Sequence, residues 1–246
     1  MCDIFAISAG YKHTPKKYLP IFAEKGKQNM NGWGIGFFRD DEAFMEKSEE
    51  QVFSHEQVHE SFQRLARVID SRIIISHITC PKSGGRHIDH RHPFKLSFLD
   101  HSWLFAQIGV VNHIEAYQTT EKPRLTVDVY TARIFEFLRD RMVFLHHQNP
   151  YISLYMALRI SIQKLVSDYP GEYSFFLANE SVLFAFCNYR QLMLFKESQS
   201  MGDILLITSI KEGLSQSKWQ QIVPDPQSLG ELLVIAGPDV LYAGDV

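Results

Sequence analysis

The sequence predicts an α+β fold in which two β-sheets pack face to face and helices cover their outer faces. Three observations predict it. Short runs rich in β-branched and aromatic residues crowd both ends of the chain, bounded by Gly, Asn, Asp or Ser. Three stretches with helical spacing of apolar residues fall between them. Several strand runs, IIIS, FFL and ILLI among them, are apolar on both faces, as strands are when both sides are covered.

Taken in order, the strand runs begin with CDIFAIS at residue 2, GWGIGFFR at residue 32 and EAFMEK at residue 42. A helix is expected over residues 55–69, with Val58, Phe62, Leu65 and Ile69 on one face. RIIISHI from residue 72 and WLFAQIGVV from residue 103 are the next strands. A second helix over residues 126–145 aligns Val127, Ile134, Leu138 and Met142. The third is expected to open at Asn149-Pro150, an N-cap followed by proline in the first helical position. It carries Ile152, Met156, Ile160 and Leu165 inward and stops at Tyr169-Pro170-Gly171. EYSFFLANE, SVLFAFCNY, QLMLFKE, ILLITSI, ELLVIAG and DVLYAG complete the chain as strands. No linker, composition shift or internal repeat divides it, so one domain over residues 1–246 is expected.

Composition narrows the function classes. Hydrophobic residues make up 45% and charged residues 22%, the balance of a soluble globular protein. A net charge of −3 without a long basic block leaves nucleic-acid binding no electrostatic footprint. The longest apolar runs are too short to span a bilayer. The start, MCDIFAISAGYKHT, lacks the charged and apolar regions of a signal peptide. Cys2, Cys80 and Cys187 are few and widely spaced, which gives neither a disulfide framework nor zinc-finger spacing. The expectation is a cytoplasmic protein with no membrane or nucleic-acid partner.

Cys2 is the residue with most chemistry. Once Met1 is removed it carries a thiol and a free α-amine on one framework, a nucleophile with its own base. An α-amine has a pKa of about 7.7–8.0, so part of it accepts protons near neutrality. The competing reading is a small buried hydrophobe that opens the first strand.

Taken with Cys2, four segments resemble the class II glutamine amidotransferases, which are N-terminal-nucleophile hydrolases, and in particular the stand-alone bacterial glutaminase-domain proteins. They are Asn31-Gly32-Trp33-Gly34-Ile35, the stretch from His77-Ile78-Thr79 to His90-Arg91-His92-Pro93-Phe94, Ala106-Gln107-Ile108-Gly109, and Val127-Asp128-Val129-Tyr130. The later LFAFCNY strand and the SKWQQIVP and GELLVI segments are also similar. The resemblance spans nearly the whole chain and implies a four-layer αββα sandwich. It further implies a small-molecule amide substrate such as glutamine, no cofactor, and a separate protein to accept any ammonia released.

Residue by residue, the resemblance implies Cys2 as nucleophile and the Gly109 N–H as one oxyanion donor. The second donor, an Asn in the family, is Ile108 here, and removing one such donor costs about 10²–10³ in rate. The family's Arg that grips the substrate carboxylate is Thr79, which offers one neutral donor instead of a charged fork. Arg86 and Lys82, in the following loop, are the candidates to stand in for it. Asp128 corresponds to the residue that binds the substrate α-ammonium, and equally suits the first turn of a helix. His77 and His92 match family positions, with His92-Pro93 supporting the loop beside the nucleophile. Trp33 and its flanking glycines make a tight, packed turn. Departures therefore cluster in the pocket, at Thr79, His90, Gln107 and Ile108. Two function classes follow: an amidohydrolase with altered glutamine handling, or a binding or regulatory protein on the same scaffold. A third reading places a metal on His87, Asp89, His90 and His92, although no helical ligand spacing supports it.

Overall fold

The computed structural model describes residues 2–24, 26, 32–79, 88–119, 125, 130–209 and 219–246, without the side chain of Asp89. The first half contains strands β1 (Asp3–His13), β2 (Trp33–Arg39), β3 (Glu42–Ser48), β4 (Phe53–Ser54), β5 (Gln57–Val58), β6 (Ser71–Ile78), β7 (Phe94–Phe98) and β8 (His101–Ile108). The second half adds β9 (Ser174–Ala178), β10 (Leu183–Cys187), β11 (Leu192–Gln199), β12 (Gly202–Thr208), β13 (Gln220–Ile222), β14 (Glu231–Ala236) and β15 (Asp239–Asp245). The helices are α1 (Tyr18–Ala23), α2 (Glu60–Val68), α3 (Tyr130–Gln148) and α4 (Leu154–Asp168).

Two antiparallel sheets carry the fold, one ordered β13-β11-β12-β1-β6-β2-β3 and the other β15-β14-β10-β9-β8-β7. Alternation along the strands divides the core into three layers. In β1, Ile4 and Ala6 face the second sheet, while Phe5, Ile7 and Ala9 face α1 and α2. In β8, Leu104, Ala106 and Ile108 face the first sheet, while Trp103 and Phe105 pack beneath α3 and α4. The order of layers is therefore α1/α2, seven-stranded sheet, six-stranded sheet, α3/α4. This is the αββα arrangement expected from the sequence.

Local chemistry moved several boundaries. The helix expected from residue 55 begins only at Glu60, because His55 and Glu56 have φ values of 50° and 60° and turn the small β4–β5 hairpin. Positive φ at both central residues is what a tight hairpin turn demands. The third helix does not start at Asn149-Pro150. Asn149 Oδ1 instead accepts from the Tyr151 N–H at 3.1 Å and closes a turn. Ser153 is the true cap, accepting from the Met156 N–H at 3.2 Å. The inward face of α4 shifts accordingly to Ala157, Leu158, Ser161, Ile162, Leu165 and Val166, and Met156 is exposed. Helix α3 buries Ile134, Leu138 and Met142 as expected, and runs on to Gln148; residues 126–129 lie outside the described part. Helix α1 and strands β4, β5, β7 and β13 were not anticipated.

Candidate active site

The site lies at one end of the layer between the sheets, where β1 begins. Strand β1 pairs with β6 through Asp3 opposite Ile78, and β6 pairs with β2 through Ile78 opposite Trp33. Continuing each register by one residue places Cys2, Thr79 and Gly32 in a single row. The Thr79 N–H donates to the Gly32 carbonyl at 3.0 Å, which fixes two members of that row. Cys2 is half-buried and packs against the inter-sheet cluster that contains Ile108.

Arg190, which follows β10, holds the start of β1. Its Nη1 donates to the Cys2 carbonyl at 2.8 Å and lies 3.0 Å from Asp3 Oδ1. Ser209 Oγ donates to the same Asp3 oxygen at 3.2 Å and accepts from the Ile4 N–H at 3.1 Å. Arg190 is itself tied to Ser174, whose Oγ donates to the Arg190 carbonyl at 2.9 Å. The first residues of β1 are thus pinned by side chains from the far end of the chain. Sequence reasoning missed Arg190, because a lone arginine in a turn carries no motif.

The glycines of β2 have a steric purpose. A Cβ on Gly34 would lie 2.0 Å from the His92 carbonyl oxygen, and one on Gly36 would lie 2.7 Å from Pro93 Cγ. Only a bare backbone lets the 92–93 segment lie this close to the sheet. Trp33, just before Gly34, points to the opposite face. Its ring packs edge-on against Phe62 of α2 at 5.1 Å, away from the face that Cys2 occupies. The structure therefore places Trp33 in the outer core layer, apart from the other candidate residues.

His77, Thr79 and His92 come together beneath that glycine track. The His77 and His92 rings meet edge to face at 4.4 Å, and His92 meets Phe94 in the same way at 4.8 Å. Thr79 Oγ1 lies 3.4 Å from His77 Nδ1. Burial pushes the His77 pKa down to about 3, and the charge of Arg91 acts in the same direction. Burial also holds His92 well below its ordinary value, reinforced by His77, Lys47 and Arg91. Both rings are therefore neutral near pH 7.

This neutrality has a consequence for stability. An imidazole kept neutral in the fold but free to protonate when unfolded makes unfolding take up a proton. The associated stability is complete above pH 6.5 and is lost as pH falls from there toward about 3. By pH 5, His77 alone is expected to cost about 2 kcal/mol. Chemical denaturation at pH 7.5 and pH 5.0 checks this, and equal stability at the two values would refute it.

The remaining candidates fall around this centre. Ile108 is buried in the cluster that Cys2 packs against and presents only hydrocarbon there. Gly109 has φ +117°, and a Cβ there would lie 2.1 Å from the Glu172 carbonyl oxygen. Its own carbonyl accepts from the Tyr130 hydroxyl at 3.0 Å. Gln107 alternates to the α3/α4 side, where its Nε2 donates to the Glu172 carbonyl at 3.4 Å. Asp128, Asn31, Cys80, Lys82, Arg86 and His87 lie outside the described residues. Among the described residues no group of three or more His, Cys, Asp or Glu could hold a metal ion. His92, one of the four residues of the metal reading, turns its ring into the core against His77 and Phe94.

Several solved structures share this fold. The chain is similar to a predicted glutamine amidotransferase from Pseudomonas aeruginosa, at 17% identity and a TM-score of 0.65, covering 98% of this chain and 100% of that one. It is similar to a glutamine amidotransferase class-II domain protein from Silicibacter pomeroyi, at 14% identity and a TM-score of 0.62, covering 98% of each chain. A glutamine phosphoribosylpyrophosphate amidotransferase from B. subtilis matches at 14% identity and a TM-score of 0.65, covering 99% of this chain and 49% of that one. These likenesses give the fold of glutamine amidotransferase domains. The family follows from sequence: residues 1–206 match the profile of the class-II glutamine amidotransferases, and the chain belongs to that family. It is also 28% identical over 111 residues to an uncharacterized protein of Methanocaldococcus jannaschii, which covers 45% of this chain. The chain spans only 30% of the length of that relative. Among the described residues no helix is long and apolar enough to cross a membrane.

Proposed function

We propose that this chain is a single amidohydrolase domain acting on glutamine or a related side-chain amide, with Cys2 as nucleophile after removal of Met1. The observation that carries the reading is the placement of Cys2: it stands at the mouth of the inter-sheet layer, its carbonyl held by Arg190 at 2.8 Å. Family membership supports glutamine as the substrate class.

In the proposed reaction the Cys2 sulfur attacks the amide carbon, and the thiol proton passes to the α-amine. The tetrahedral oxyanion takes the Gly109 N–H as donor, and Ile108 supplies none. The C–N bond breaks as the α-ammonium returns its proton to the leaving ammonia. Water then attacks the thioester to give the free acid and restore the thiol. Ammonia goes to a partner protein or to solvent.

The test is the intact mass of untagged protein expressed from its native start, before and after treatment with a diazoketone analogue of glutamine. Loss of one methionine and a single adduct on Cys2 are expected. Full retention of Met1 would remove the amine base and sink the reading. In that event the binding-protein reading takes its place, favoured by the hydrocarbon surface that Ile108 puts where an oxyanion donor is needed.

A further inference from the structure

Arg91 is an unusual buried cation. It is 1% exposed, yet its Nε and Nη1 have no hydrogen-bond partner. A guanidinium taken out of water without a partner carries a heavy desolvation cost, which folds seldom tolerate without a ligand or a purpose. Glu49 is the carboxylate that acts on it, and Glu49 is exposed at the surface. Besides Glu49, only the thiolate form of Cys2 acts on it as an anion, and the nearby His77 and His92 are neutral.

Its position is set by the row that begins at Cys2. Gly32 stands two strands away from Cys2 across β6, about 10 Å at ordinary strand spacing. A Cβ on Gly32 would collide with the Ser48 carbonyl oxygen and lie 3.0 Å from Arg91 Nε, so the guanidinium packs close against the bare backbone there. The charge of a Cys2 thiolate acts on Arg91. Between the two lies Thr79, which offers a single neutral hydroxyl.

We propose that Arg91 is the carboxylate-binding residue of the pocket, gripping the α-carboxylate of the ligand whose amide faces Cys2. The grip is charge-assisted and draws on the guanidinium N–H groups that have no partner in the protein. Arg86 and Lys82 are not needed for this role. The proposal deepens the glutamine reading, but it rests on Cys2 marking the ligand's position and not on Cys2 being reactive.

The experiment therefore measures binding without turnover. In Cys2→Ser protein, calorimetry compares L-glutamine with L-glutamine α-amide, which differs only in lacking the carboxylate charge. Glutamine is expected to bind about tenfold tighter or more when Arg91 is present, given a charge-assisted contact. That preference is expected to disappear in Arg91→Gln and to survive in part in Arg91→Lys. The melting temperature of Arg91→Gln is expected to be no lower than that of the parent, because a buried and incompletely hydrogen-bonded charge is removed. A preference for glutamine that persists in Arg91→Gln overturns the proposal, as does failure of either probe to bind the Arg91 protein. If Arg91→Gln melts low, Arg91→Lys decides: full binding with no preference for the carboxylate also overturns it. Whether Cys2 is a nucleophile is read separately from the diazoketone adduct.

Discussion

Cys2→Ala is expected to lower glutamine hydrolysis at least a thousandfold while leaving the melting temperature nearly unchanged. Loss of a covalent nucleophile removes the route through the thioester, and only binding and the single oxyanion donor remain. The fold should hardly register the change, because Cys2 is half-buried at the rim of its cluster and the Arg190 clamp holds its carbonyl, not its side chain. A tag fused ahead of residue 2 is expected to have the same effect as the mutation, since it converts the α-amine to an amide with no basicity. Steady-state ammonia release from the parent, Cys2→Ala and tagged proteins decides the point. Equal rates in all three would place the chemistry elsewhere.

Arg190→Met is expected to be the most damaging single change to the scaffold, at about 2–4 kcal/mol. Asp3 is 4% exposed, and removing its cation leaves a carboxylate buried among Ile4, Ser209 and the strand ends. A companion substitution, Asp3→Asn, is expected to recover much of that loss, since it removes the stranded charge. The four members of this cycle, measured by urea denaturation, isolate the coupling between the two side chains. Additive losses would show that Asp3 and Arg190 act independently. Activity in Arg190→Met is expected to fall further than stability, because the Cys2 carbonyl loses its hydrogen bond as well.

The fold was largely legible in the sequence. The β-rich runs at both ends became the two sheets, and runs apolar on both faces, such as those around Ile74, Phe176 and Leu206, became their central strands. Short or locally capped elements were less legible. At residues 55–56 a helical spacing of apolar residues was overridden by two left-handed backbone conformations. At residues 149–153 two capping signals stood four residues apart, and Ser153 prevailed over Asn149. The local geometry of the candidate site was legible where it rests on chain-neighbour motifs, as in the glycines of β2 and the His92-Pro93 segment they accommodate. It was illegible where it depends on residues distant in sequence. Nothing local in the turn after β10 says that Arg190 meets Asp3. Nothing near Arg91 says that its charge stays buried beneath Gly32.

The strand order also sets a schedule during synthesis. Strand β1 lies between β6 and β12, so its second partner is made about two hundred residues after it. At ribosomal speeds of roughly 5–20 residues per second, that interval is on the order of 10–40 seconds. For that time the first strand has one neighbour at most, and neither Ser209 nor Arg190 yet exists to hold it. Under the proposed mechanism, removal of Met1 would act on a strand that still lacks its second neighbour. Exposure of the Cys2 amine would then come before completion of the sheet, which waits for the late-made strands.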